Sequence, residues 1–152
     1  MATSNDRGIL DLLGRRALVT GASRGIGAAT IRLLSAAGAD VMVGFRTRSE
    51  EAEHVASEAR ASGVRASTYA ADIATPDGAE QLVQACIREL GGIDIFVANA
   101  GIWPVDDVSL GDMAPERWHR TMCQNLDSIF FTTAAVTRAI ADSGRIVLIS
   151  ST

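Results

Sequence analysis

Lysine is missing from this chain of 152 residues: all 14 basic side chains are arginine. Cysteine occurs only twice and tyrosine only once. Two cysteines, Cys86 and Cys123, cannot build a secreted disulfide framework. Neither stands in a C-x-x-C pair or at ligand spacing from a histidine, so no metal is expected, and the thiols read as reduced in a cytoplasmic protein. No apolar run approaches the roughly 20 residues that cross a bilayer, which speaks against a membrane partner. Residues 1–13 lack the basic start and long apolar stretch of a signal peptide. A concentrated basic face is missing too: residues 1–76 hold nine arginines and eight acids, residues 77–152 five arginines and ten acids. That balance offers nothing to neutralise a phosphate backbone, so nucleic acid is excluded as a partner. What is present is 47% hydrophobic residues in a length that suits a single domain. Such a chain buries roughly two-thirds of its unfolded surface without disulfide staples.

Short runs rich in Val and Ile alternate with segments of helical period. The spacing predicts strands over 16–21, 40–45, 65–70, 93–99 and 145–150, and helices over 25–37, 49–62, 76–90 and 115–142. In the first helix Ile26, Thr30, Leu33, Leu34 and Ala37 suggest one apolar stripe against a sheet, and Leu82, Cys86 and Leu90 repeat at the same spacing in the third. Gly38 and Gly63 stand where left-handed helix ends belong, and Pro76 and Pro115 where a first turn accepts proline. Alternating apolar strands and helices imply a doubly wound α/β domain with a parallel sheet covered on both faces. Its ligands belong at the carboxyl ends of the strands. The segment 102–114 is the longest irregular stretch, either a mobile flap or a wandering connection.

Between the first strand and first helix lies Thr20-Gly21-Ala22-Ser23-Arg24-Gly25-Ile26-Gly27. Such a turn brings backbone N–H groups and a helix N-terminus against a pyrophosphate: Gly21 permits the turn, Gly25 close approach of a ligand, and Gly27 close helix packing. Asp72-Ile73 follows the third strand, Asn99-Ala100-Gly101 ends the fourth, Asn125 stands in the long helix, and the last strand runs into Ser150-Ser151. In this order and spacing the chain from Leu13 onward resembles the short-chain dehydrogenase/reductase family, most closely the β-ketoacyl carrier-protein reductases. The resemblance implies a Rossmann-like fold with about five strands here and the family's later strands missing. It also implies a nicotinamide dinucleotide cofactor. Gly21, Ser23, Arg24, Gly25, Ile26, Gly27, Asp72, Ile73, Asn99, Ala100 and Gly101 would hold it, and Asn125 and Ser151 would be catalytic. Trp103 could border a substrate cleft or anchor its loop, while His54 and His119 read as surface residues.

An NAD site usually places an acid about 20 residues after the glycine turn, on the ribose 2′-hydroxyl. Here Gly44-Phe45-Arg46 stands there instead. Arg46 with Arg24 could grip a 2′-phosphate through charge-assisted hydrogen bonds, so NADP(H) is expected in preference to NAD(H). Glu50 and Glu51 suit the start of the next helix.

In the family a tyrosine gives the proton and a lysine four residues later holds the ribose and lowers the pKa of that tyrosine. A serine orients the carbonyl, and the helix asparagine steadies a water. Ser151 and Asn125 match two of these roles, while Tyr69 belongs to the third strand and lysine is absent. The expectation is a single, C-terminally incomplete dinucleotide-binding domain over 1–152. It would derive from an oxidoreductase acting on a small-molecule ketone or secondary alcohol, and would be inactive by itself. The alternative is a non-catalytic nucleotide-binding or interaction module. The family's use of the long helix in subunit contacts suggests a homo-oligomer. Its residues Trp118, Met122, Leu126, Ile129, Phe130 and Ala134 could serve that contact or the sheet.

Overall fold

The computed structural model describes residues 10–106 and 108–150. Five parallel strands form one sheet in the order β3-β2-β1-β4-β5. They are β1 (Arg16–Val19), β2 (Asp40–Phe45), β3 (Ala66–Ala70), β4 (Ile93–Ala98) and β5 (Ile140–Leu148). Helices α1 (Gly25–Ala36), α2 (Ser49–Ala61) and α3 (Pro76–Leu90) connect the first four strands. A long helix leads to the fifth: α4 (Pro115–Met122), a π-helical turn (Cys123–Asp127) and α5 (Ser128–Thr137). The strand order reverses between β1 and β4, which leaves a crevice at their carboxyl ends.

Both faces of the sheet carry a core. On one, Ala17, Val19, Val41 and Val43 meet Ala28 and Ile31 of α1 and Val55 and Ala59 of α2. On the other, Leu18, Met42 and Phe96 meet Leu82, Cys86 and Leu90 of α3 and Ala135 and Val136 of α5. Burial pushes the Cys86 thiol up to about 12, so it serves as a small apolar side chain. Tyr69 packs partly buried against this second core.

The punctuation residues act as their types require. Gly38 and Gly63 follow α1 and α2 at φ +97° and +88°, and Pro76 and Pro115 open their helices. Glu50 and Glu51 lie in the first turn of α2, where a backbone N–H and then Arg48 hold the Glu51 carboxyl below its usual range.

Three expectations need correction. First, α1 turns Gly27, Ala28, Ile31 and Ser35 to the sheet, whereas Ile26 and Leu33 are exposed, because small side chains let the helix lie closer than the larger stripe would. Second, the long helix is not regular to residue 142. It widens into the π turn, ends at Thr137, and the chain enters β5 at Ile140, with residues 141–144 bulging between the pairs Ile93–Ile140 and Ile95–Arg145. Third, Trp118, Leu126 and Phe130 are more than half exposed, while Ser128, Thr132, Ala135 and Val136 face inward and Ile129 packs against the core. Of the two roles open to the apolar stripe, those three residues therefore do not serve the sheet.

Candidate cofactor cleft

The site grows from β1. Thr20 follows this strand fully buried, and its Oγ1 accepts hydrogen bonds from the backbone N–H groups of Asn99 (3.0 Å) and Ala100 (3.1 Å). In return Asn99 Nδ2 donates to the carbonyls of Thr20 (3.0 Å) and Gly21 (3.2 Å). This clasp joins the two strands that flank the crevice. Gly21, at φ +62°, is needed for its space as well, since a Cβ there would lie 2.8 Å from Ala100 Cα. Gly27 is pressed harder: a Cβ would sit 2.6 Å from both Asn99 Nδ2 and the Gly21 carbonyl oxygen.

Gly25 differs. It has φ +57°, and a Cβ there would meet nothing within 4 Å, so its open side faces free space at the start of α1. The residue before it, Arg24, is extended and gives α1 no side-chain cap. The first-turn N–H groups of a helix have no partner within that helix. An uncapped helix start with an open glycine beside it fits the pyrophosphate of a dinucleotide.

A cleft of about 330 Å³ runs over these strand ends. Gly21, Ser23, Arg24, Gly25, Ile26, Arg46, Asp72, Ile73, Asn99, Ala100 and Gly101 all line it. Gly27 lies beneath as a packing residue. Asp72 holds its own turn, accepting from the Ala74 N–H at Oδ1 (3.2 Å) and from Thr75 Oγ1 at its carbonyl (2.9 Å). Gly78 of α3 passes so close that a Cβ would lie 2.1 Å from the Asp72 carbonyl oxygen.

Among the described residues no acid lines the cleft at the β2 end; Arg46, Thr47 and Arg48 do, with Arg24 joining from the glycine turn. Arg48 is paired with Glu51 at 2.9 Å. Arg46 Nη1 donates to Gln124 Oε1 on the opposite side. The Arg24 guanidinium makes no hydrogen bond to a described residue.

Asn125 lies in the π turn, a local widening often found at functional sites. Its Oδ1 accepts from the Ile102 N–H (2.7 Å) and its Nδ2 donates to the Ile102 carbonyl (2.9 Å). The side chain thus pins the chain just beyond Asn99-Ala100-Gly101. Ser151 lies outside the described residues; the strand leading to it stays beside β4 through a bond from the Ile149 N–H to the Ala98 carbonyl (2.9 Å).

Thr20, Arg48 and Gln124 belong to the site as well. Thr20 stands in the glycine motif and Arg48 two residues beyond Arg46, so both carry a local signal. Gln124 has none, because its partner is 78 residues away. Trp103 is 87% exposed on the segment 102–114, whose described residues include the 3-10 turn Leu110–Asp112. His54 and His119 are exposed, as their surroundings suggest. Among the described residues no three His, Cys, Asp or Glu side chains could hold a metal ion, and no helix is long and apolar enough to cross a membrane.

Five parallel strands, a reversal between β1 and β4 and a glycine-turn cleft define a Rossmann-like α/β domain. The sequence pattern described as short chain dehydrogenase matches residues 15–152, and the chain belongs to that oxidoreductase family. It is 40% identical over 140 residues to the short-chain dehydrogenase/reductase FrzI of Cladobotryum sp., covering 92% of this chain and 54% of that protein. A 3-oxoacyl-[acyl-carrier-protein] reductase of Synechocystis sp. is 39% identical over 142 residues, covering 92% of this chain and 57% of the relative. A short chain dehydrogenase from Burkholderia cenocepacia, solved in complex with NADP, superposes with a TM-score of 0.85 at 39% identity, over 90% of this chain and 55% of that one. The chain thus spans about half the length of the curated relatives it matches.

Proposed function

We propose that residues 1–152 act as one dinucleotide-binding domain that prefers NADP(H) over NAD(H). It serves an oxidoreductase interconverting a small-molecule ketone and a secondary alcohol. The observation that carries the cofactor choice is the lining at the β2 end: Arg24, Arg46 and Arg48 stand where an acid would hold a 2′-hydroxyl. A guanidinium forms paired, charge-assisted bonds to a phosphate, which a hydroxyl cannot match. The NADP complex of the Burkholderia relative supports the same choice.

Bound nicotinamide supplies the hydride. This chain's residues hold and orient: Gly25 and the start of α1 take the pyrophosphate, Asp72 and Ile73 border the adenine, and Asn99 to Gly101 form the floor toward the nicotinamide. Asn125 fixes the Ile102 backbone beside that floor. Ser151 orients the carbonyl. The proton donor is not among these 152 residues, since their single tyrosine, Tyr69, lies in β3 and packs partly buried against the second core. Two free cysteines suit a reducing, cytoplasmic setting. The outward stripe of Trp118, Leu126 and Phe130 suits a contact between copies.

Fluorescence titration with NADPH and NADH tests the reading. Arg46→Ala is expected to weaken NADPH about 10- to 100-fold, the worth of a hydrogen bond to a charged group, and to leave NADH nearly unchanged. Equal weakening of both, or none, refutes the preference. Ketone-dependent loss of NADPH absorbance with the 152-residue chain alone would refute the assignment of the proton donor.

A further inference from the structure

We infer that Gln124 is a positioning residue for Arg46 and thereby sets the discrimination between 2′-phosphorylated and 2′-hydroxyl dinucleotides. The inference rests on the cofactor reading above and extends it to a residue of a different element.

The bond from Arg46 Nη1 to Gln124 Oε1 joins the end of β2 to the π turn, and both side chains line the cleft. Consecutive residues of a helix point in well-separated directions, roughly 100° apart in an α-helix and somewhat less in the wider π turn. Gln124 can therefore reach toward the β2 end while its neighbour Asn125 is bound to Ile102 beyond β4. One turn of helix serves both ends of the cleft.

The chemistry of the pair favours aiming over blocking. A guanidinium has five N–H donors in a rigid planar fork. Gln124 takes a bond from one nitrogen, so donors on Nε and Nη2 remain for an anion. The acceptor is a neutral amide, which leaves the arginine charge uncompensated. Arg48, held by the Glu51 carboxylate, is compensated. An arginine carries about 2 kcal/mol of rotamer entropy, and an anchor that holds its fork in place before the ligand arrives removes part of that cost from binding. A 2′-hydroxyl makes little use of the fork, so the anchor favours the phosphate selectively.

The test is a double-mutant cycle read by equilibrium fluorescence titration of the purified protein with NADPH and with NADH. Gln124→Met keeps length and volume but removes the acceptor. It is expected to weaken NADPH about three- to tenfold, the worth of one hydrogen bond, and to leave NADH unchanged. In an Arg46→Ala background the same substitution should do nothing further. A circular dichroism spectrum and thermal melt matching the parent report that each variant is folded, and Gln124→Ala repeats the test with a smaller side chain. Equal weakening of both cofactors, tighter NADPH binding, or an effect that persists without Arg46 overturns the role. Should Arg46→Ala abolish the preference while neither Gln124 variant changes it, this inference fails and the cofactor reading stands. Should Arg46→Ala leave the preference intact, both fail.

Discussion

Two glycines of the turn that follows Thr20 separate packing from binding. Gly27 has backbone and the Asn99 amide within 2.6 Å of where a Cβ would go, so Gly27→Ala overpacks a rigid spot. A loss of about 2 kcal/mol is expected, within the range for overpacked cores, together with poorer dinucleotide binding. Gly25 has open space instead and a φ of +57°, so Gly25→Ala costs about 1 kcal/mol of backbone strain and acts mainly on the ligand. Urea unfolding of the two variants, with NADPH titration beside it, separates them; a Gly27→Ala protein as stable as the parent would contradict the packing argument. The glycine roles, the Asn99 turn and the arginine at the β2 end were legible because each is a local pattern. The Thr20–Asn99 clasp and the Arg46–Gln124 bond were not, since their partners lie 78 to 80 residues apart and only the sheet order brings them together.

Elements were legible wherever strand and helix periods were strong. The face of a helix was harder to read. In α1 the apolar stripe that periodicity suggests is partly solvent-facing, because a helix that must lie close to a glycine turn buries glycine, alanine and serine in preference to leucine. A π turn leaves no mark in hydrophobic period beyond a change of phase, so the long helix looked unbroken. At the opposite end of the sheet the starts of β1 and β4 are tied by charge. Asp94 is only 7% exposed; its Oδ2 accepts from Arg16 Nε at 2.6 Å and from the Arg16 N–H at 2.9 Å, and Arg15 approaches at 3.6 Å. The Arg16 hydrogen bond holds the Asp94 carboxyl below its usual range. A carboxyl lowered by folding contributes stability above the unfolded value of about 3.9, and that contribution is lost as pH falls through the lower folded value. Asp94→Asn should therefore destabilise the protein by about 2 kcal/mol at pH 7, less than a fully buried pair because Arg16 is partly solvated, and by progressively less as pH falls below the unfolded value and through the lowered folded one. A loss that stays constant down that acid series in denaturant titrations would rule the ion pair out as the cause.

Across the whole molecule the sheet is asymmetric. At its centre Ala17, Leu18 and Val19 of β1 are fully covered, whereas at the β5 edge Ile146, Val147, Leu148 and Ile149 are 38–54% exposed. An open apolar edge is a template for another strand. Purified at rising concentration, the 152-residue chain should self-associate in sedimentation velocity, and Val147→Lys should suppress this; association unaffected by the lysine would place the contact elsewhere, with the stripe around Phe130 the next surface to alter. The central clasp also bears on the order of folding. Pairing β1 with β2 closes a short segment, but the Thr20–Asn99 bonds close one of 79 residues. Loop closure grows costlier with length, and distant pairings are slow to form. The cleft therefore comes into being only when β4 docks beside β1, and a dinucleotide spanning that seam would act as a tether that resists its reopening.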